Sequence, residues 1–321
     1  MLAPWPNHEP ELDTEWIDDD SMSLPLRTRL GSLRVLAQWC CVQKKADLVP
    51  PVLKLLWILL GTGEVHRDQH IPLGVRSRLR LYAAQCILKL ATCDAYASLI
   101  LPRMGRLSYA LQDECFQVRM HLLHDLLLYL MRNELPTEFH AAIFLVAFDP
   151  EDEPRVQVAS YTRRLQVLPP IVRHERLERI IVRFLHLLAH HPDLNVESPQ
   201  TMCSFSRYLE FYLACVACEA NVGVLARFTA CVRTYIDLSL SEPSVENSRP
   251  LYAMAELAQF LIQRLADNHG WTIYPVDEEA PCPKDILRST GTIARSVLDG
   301  EVWELLQQQP RRHRDKKTKV A

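Results

Sequence analysis

Glycine is scarce in this chain, with 9 among 321 residues, and the motifs GxGxxG, GxxxxGK with a following Ser or Thr, and GxSxG are all missing. That shortage disfavours Gly-rich phosphate loops and tight β turns, and a chain rich in Leu, Ala and Arg instead favours helices. No apolar run is long enough to cross a bilayer: the longest, Val52 to Leu60, carries Lys54 inside it and falls well short of the roughly 20 residues required. No sign of charge dominates either. With 36 basic and 39 acidic residues the formal net charge is −3, so the chain as a whole is not a general binder of polyanions. Met1 leads into Pro4, Trp5 and Pro6 without a basic region and an apolar stretch behind it, so no secretory leader is read. The ten cysteines are accordingly expected as thiols of an intracellular, reduced protein.

What is present is a repeating pattern. Arg76 to Ala84, Gln117 to Leu123 and Pro154 to Ser160 each place a basic residue at the mouth of an apolar helix, and 39 residues separate Leu79 from Val118 and 38 separate Val118 from Val156. Periods of that length belong to paired-helix repeats of the HEAT or armadillo type. Each pair in such an array buries its apolar face only against its neighbours, which leaves a long surface for partners. With 48% hydrophobic residues there is ample material for one continuous core. The expected fold is an all-α, HEAT/armadillo-like helical-repeat solenoid, and the expected role is that of a scaffold rather than an enzyme.

The organisation follows from local signals. Residues 1–21 read as an acidic, Pro-containing N-terminal arm anchored by Trp5 and Trp16, and residues 22–270 as HEAT-like helical repeats. Residues 271–309 read as an extended segment with a short terminal helix, and 310–321 as a basic tail. Within the repeats, helices are expected over 27–42, 51–60, 75–92, 96–101, 104–111, 115–132 and 156–166, with another opened by Pro136 and ending near Phe148. Further helices are expected over 175–190, from 199 to about 220, and over 222–240, 248–268 and 300–309, from three- and four-residue apolar spacing and from Pro, Gly and acidic punctuation.

Candidate sites weigh lightly. His186 and His190 share a helix face, but the His-Leu-Leu-Ala-His stretch lacks the glutamate of a metalloprotease. These residues, with His191 and His174, read as helix-terminal histidines near the last carbonyls; no metal and no cofactor is expected. Cys215 and Cys218 lie inside an apolar helix and, like Cys40 and Cys41, read as buried small hydrophobes. Asp149 with Asp152, and Glu278 with Glu279, read as capping residues in turns. Arg78, Arg119 and Arg155 fall at equivalent repeat positions and so align along one ridge. They read either as a structural ladder to acids such as Asp113, Asp149 or Glu153 or as a partner-binding stripe. Arg311, Arg312, Arg314, Lys316, Lys317 and Lys319 form a run suited to nuclear import or to sequence-independent phosphate contact.

Four stretches, Ala83–Ala91, Asp113–Arg119, Leu135–Phe139 and His186–Leu194, together with Leu12–Trp16, resemble in order and spacing the precocious-dissociation-of-sisters family, the cohesin-associated HEAT-repeat regulators. The resemblance runs from about Asp13 to about Tyr274 and is to the C-terminal part of the family's long array, so the chain is expected to be a fragment or a short, divergent member. His191 stands where the family usually has aspartate, and Gly61 to Gly74 diverges. The resemblance implies a nuclear, chromatin-associated, non-enzymatic regulator of sister chromatid cohesion in mitosis. Its implied partners are the cohesin ring, through the kleisin subunit, and the cohesin-release factor, with weak non-specific DNA contact through the tail and no membrane. The alternatives are a HEAT-repeat adaptor for transport or the cytoskeleton, and a helical metal-dependent enzyme built on His186 and His190.

Overall fold

The computed structural model describes residues 14–64 and 71–308. Its elements are almost all helical, and the chain is an all-α helical-repeat solenoid. The first helices are α1 (Leu24–Gln43) and α2 (Val49–Thr62), followed by α3 (Leu73–Ala91). Proline stands in the first turn of both α1 and α2, where its missing N–H costs nothing. Both helices end in left-handed residues, Lys44 at φ 52° and Gly63 at φ 69°, whose N–H groups return to Cys40 and Leu59 carbonyls. Gly63 is required: a Cβ there would lie 2.7 Å from the Arg76 Cβ.

Next come α4 (Asp94–Ile100), a short 3-10 turn over Leu101–Arg103, α5 (Met104–Ser108) and a second 3-10 turn over Tyr109–Gln112. The long α6 (Phe116–Met131) leads to a 3-10 run over Thr137–Phe148 and to α7 (Asp152–Gln166). Helices α3, α6 and α7 are successive in one layer, α3 packing on α1, α2 and α6, and α6 on α7. They are the three elements that carry the repeated arginines.

The remainder contains α8 (Pro170–Arg173), a π turn over His174–Glu178, α9 (Ile181–Ala189), α10 (Pro199–Val216) and α11 (Val222–Val232). Strand β1 (Tyr235–Asp237), helix α12 (Arg249–His269), strand β2 (Leu287–Ser289) and α13 (Gly300–Gln308) complete it. Helix α12 packs on α9, α10 and α11. It buries Leu251, Tyr252, Met254, Leu257, Leu261 and Ile262, each contributing about 1.5–3 kcal/mol.

Several expected helices are redrawn. The helix expected over 222–240 stops at Val232, where the Thr234 hydroxyl donates to the Cys231 carbonyl. Tyr235–Asp237 then pairs antiparallel with Leu287–Ser289, Ile236 facing Arg288. The helix expected over 175–190 is broken by the π turn, closed by Arg179 N–H to the His174 carbonyl. The segment opened by Pro136 is 3-10 and buried almost throughout, because Ala141 and Ala142 let neighbours close in on every side. Helix α10 ends at Val216 rather than near Ala220. The stretch after Gly270 is extended, and it lies so close to α11 that a Cβ on Gly223 would sit 2.6 Å from the Tyr274 carbonyl oxygen.

Candidate functional site

Two aspartates, 36 residues apart, organise the layer of α3, α6 and α7. Asp113 stands just ahead of α6 and Asp149 just ahead of α7, and the Oδ1 of each accepts the N–H two residues on, from Cys115 at 3.0 Å and Glu151 at 3.1 Å. These are Asx turns, which a short carboxylate closes without a helical neighbour. Each carboxylate also takes a guanidinium from the preceding helix of the layer. Arg80 of α3 grips Asp113 through two nitrogens at 2.6 and 2.8 Å. Arg119 of α6 grips Asp149 at 2.9 and 3.3 Å and reaches Glu151 at 2.6 Å. Six residues behind each aspartate, Arg119 and Arg155 donate back to the aspartate's own carbonyl oxygen.

Arg119 is only 7% exposed. Burial opposes its charge, yet Asp149 and Glu151 outweigh that and hold its pKa above the ordinary arginine value. Arg155 pairs with Asp152 of its own helix. Arg78 does not meet Asp113; that contact belongs to Arg80. Instead Arg78 holds the N-terminal arm, donating to the Ile17 carbonyl at 2.6 Å, pairing with Asp19 at 2.7 Å and stacking on Trp16 at 3.8 Å. Of the three arginines on the ridge, Arg78 and Arg119 are therefore buried in ion pairs, and the basic tail lies outside the described residues.

The Asp113 turn separates two clefts. One, of about 510 Å³, is lined by Trp57, Arg76, Arg80 and Arg106. The other, of about 650 Å³, is lined by Arg119, Phe148, His191, Ser204, Phe205 and Tyr208. In the second, Phe148 packs 4.6 Å from Tyr208, and these rings share the lining with Arg119 and with Asp113, Glu114, Asp149 and Asp193. His191 is fixed there as the neutral tautomer that protonates Nε2. Its Nδ1 accepts the Asp193 N–H at 3.1 Å while Nε2 donates to Gln112 Oε1 at 2.7 Å, and burial lowers its pKa.

A third cluster joins residues that the chain separates widely. His186 and His190, one turn apart at the end of α9, both direct Nε2 at Asp237 of β1, at 3.3 Å to Oδ1 and 2.6 Å to Oδ2. His186 Nε2 also lies 3.1 Å from Ser239 Oγ. The side chains thus meet a carboxylate on a strand rather than the last carbonyls of α9. Burial alone raises the Asp237 pKa, but the two histidine hydrogen bonds prevail and hold it well below the carboxylate range; burial lowers that of His186 in spite of Asp237. The sequence reading found the histidines and missed Asp237, because strand β1 itself was read as helix. His174 plays a different part, bridging Glu178 at 2.5 Å and Glu278 at 2.7 Å and so docking the extended segment on the π turn. Cys215 is buried in α10, Cys218 follows that helix, and Cys40 and Cys41 are buried in α1.

A family model described as "Sister chromatid cohesion protein PDS5 protein" matches residues 2–288. The sister chromatid cohesion protein pds5 of Schizosaccharomyces pombe is 27% identical over 290 residues, covering 88% of this chain and 23% of that relative. The PDS5 homolog A of Danio rerio is 30% identical over 194 residues, covering 56% of this chain and 15% of that protein. The PDS5 protein of Saccharomyces cerevisiae is 21% identical over 333 residues, covering 91% and 26%. The chain thus spans about a quarter, or less, of the length of these curated relatives.

Proposed function

The chain belongs to the PDS5 family of sister chromatid cohesion proteins, and from that premise we propose that it is a non-enzymatic, chromatin-bound scaffold that regulates cohesin through protein–protein contacts. The observation that carries this reading is the family match over residues 2–288, which takes in nearly the whole helical stack. The stack itself supports a scaffold: the buried ion pairs Arg80–Asp113, Arg119–Asp149 and Arg183–Asp285 join consecutive or distant elements, which suits a surface that must keep its shape while partners bind. The partners proposed are the cohesin ring, engaged through its kleisin subunit, and the cohesin-release factor, in the nucleus. Arg311, Arg312, Arg314, Lys316, Lys317 and Lys319 supply import or weak, sequence-independent DNA contact.

The contact face proposed is the larger cleft beside Asp113, which Arg119 alone of the ridge of Arg78, Arg119 and Arg155 helps to line. The aromatic lining of Phe148, Phe205 and Tyr208 suits an extended segment carrying an apolar anchor. The test is co-precipitation of the tagged chain from nuclear extract with mass spectrometry of the bound proteins, repeated with Ser204→Arg, which fills the larger cleft from an exposed position. Recovery of cohesin ring subunits that Ser204→Arg abolishes, at unchanged melting temperature, supports the reading. Absence of those subunits from the wild-type precipitate overturns the partner assignment.

A further inference from the structure

The histidine cluster on α9 has the composition and geometry of a metal site that its sequence spacing left incomplete. Two imidazole nitrogens one helical turn apart and a carboxylate from β1 converge, and one ligand atom from each of His186, His190 and Asp237 lies within 4.8 Å of the others. Zinc bonds of about 2.0–2.2 Å at tetrahedral angles place neighbouring donor atoms roughly 3.3–3.6 Å apart. His186 Nε2 lies 3.3 Å from Asp237 Oδ1 and His190 Nε2 2.6 Å from Asp237 Oδ2, so each imidazole faces its own oxygen of the carboxylate, and the His190 pair opens by under about 1 Å to reach that spacing.

The carboxylate is held from behind. Asp237 Oδ1 accepts the Ser239 N–H at 2.8 Å, and the Asp237 N–H donates to Ser248 Oγ at 3.0 Å, outer contacts of the kind that orient a ligand before the ion arrives. A cavity of about 260 Å³ opens on the same side and is lined by Arg103, Arg106, Arg183, His186, His190 and Ser239. Arg183 pairs with Asp285 through its terminal nitrogens at 2.8 and 2.7 Å, yet its buried Nε has no hydrogen-bond partner. Arg183 thus brings an unpartnered buried donor to the lining of the cavity that His186 and His190 share.

We propose that His186, His190 and Asp237 bind one divalent transition-metal ion, zinc foremost, and that the ion clamps the end of α9 to the β1–β2 ribbon with one coordination position left toward the arginine-lined cavity. Imidazole and carboxylate together suit zinc, whereas magnesium and calcium favour all-oxygen sites. The arginines favour an anionic ligand at the remaining position, such as hydroxide or a carboxylate.

The test uses the full chain, stripped with chelator and titrated with zinc alone and with cobalt(II) alone. Metal content is read by mass spectrometry, coordination by visible absorption and stability by thermal melting. His190→Gln is the informative variant, because His190 is half-buried at the helix end and its replacement keeps a polar side chain there. The expected result is one zinc per wild-type chain, a cobalt spectrum without thiolate charge-transfer bands, and a melting temperature that rises with zinc. His190→Gln should melt like the metal-free wild type and lose the zinc-dependent rise. A folded wild-type chain that takes up no zinc or cobalt overturns the proposal. So does a thiolate-type cobalt spectrum, or unaltered zinc binding in His190→Gln. Cohesin recovery in the co-precipitation is read separately, so either proposal can fail without the other.

Discussion

Arg119 is the side chain whose loss the architecture predicts most sharply. Its guanidinium makes five hydrogen bonds: Nε and Nη2 to Asp149, Nη2 to Glu151, and Nη1 to the carbonyls of Asp113 and Glu114. Arg119→Ala leaves the Asp149 carboxylate buried, with the Glu151 N–H its main remaining donor. Removing one partner of a buried pair costs about 3–5 kcal/mol, because the charge left behind has neither water nor a counter-ion. Unfolding entropy near 60 °C is about 2.1 cal/mol/K per residue. For 321 residues the stated cost becomes a fall in melting temperature of roughly 4–7 °C, readable by calorimetry or by circular dichroism of the helical amide signal. Arg119→Lys should fall between, since an ammonium keeps the charge but not the fork. The pair Arg119→Met with Asp149→Leu should recover most of the loss, since no buried charge is then left alone. A melting temperature for Arg119→Ala within about 1 °C of wild type would falsify the ladder as a source of stability.

Three further outcomes follow from other parts of the molecule. His140 is buried between the Thr137 carbonyl and the Tyr161 hydroxyl, and burial pushes its pKa down to about 4. The unfolded chain, with a histidine pKa near 6.5, therefore binds the extra proton between the two values. Stability from this group is complete above about pH 6.5 and falls by up to about 1.4 kcal/mol per pH unit as pH drops toward 4; melting curves across that range should flatten in His140→Gln, and an unchanged slope refutes the assignment. Gly223→Ala puts a Cβ into the Tyr274 carbonyl; an overpacking cost of about 1–3 kcal/mol should appear as faster proteolysis within residues 271–284, and equal cleavage rates would mean that the segment is not held there. Deleting residues 311–321 removes six basic residues. It should weaken DNA binding equally across sequences and reduce the salt slope by up to about 5, whereas an unaltered slope excludes phosphate contact by the tail.

Much of the architecture was legible because solenoids write their fold locally. A helix that buries one face against its neighbour shows a stripe every three or four residues, and its ends show proline, glycine or an acid, so α1, α2, α3, α6, α7 and α12 lie near their expected positions. The same logic failed at β1. Val232, Ile236 and Leu240 are four apart and read as a helical face, but Tyr235–Asp237 has a partner strand, Leu287–Ser289, about fifty residues away, and no local pattern announces a pairing at that distance. The run Thr137–Phe148 was legible as an element and not as a 3-10 one, since its tightness comes from being enclosed on all sides.

The amino-acid sequence by itself determined the class, the repeat and the family, because periodicity, punctuation and motif order are properties of the chain alone. It also set Arg78, Arg119 and Arg155 at matching positions of the repeated pattern. Only the tertiary structure decided what each of them holds. Arg80 rather than Arg78 takes Asp113, while Arg78 turns to the N-terminal arm and Arg155 to its own helix. It alone brought Asp237 beside His186 and His190, converting a spacing without a third ligand into a convergent site. The reason is geometric: a hydrogen bond or a coordination bond is set by distances of a few ångströms between groups that the chain separates by tens of residues, and those distances exist only once the layers have packed.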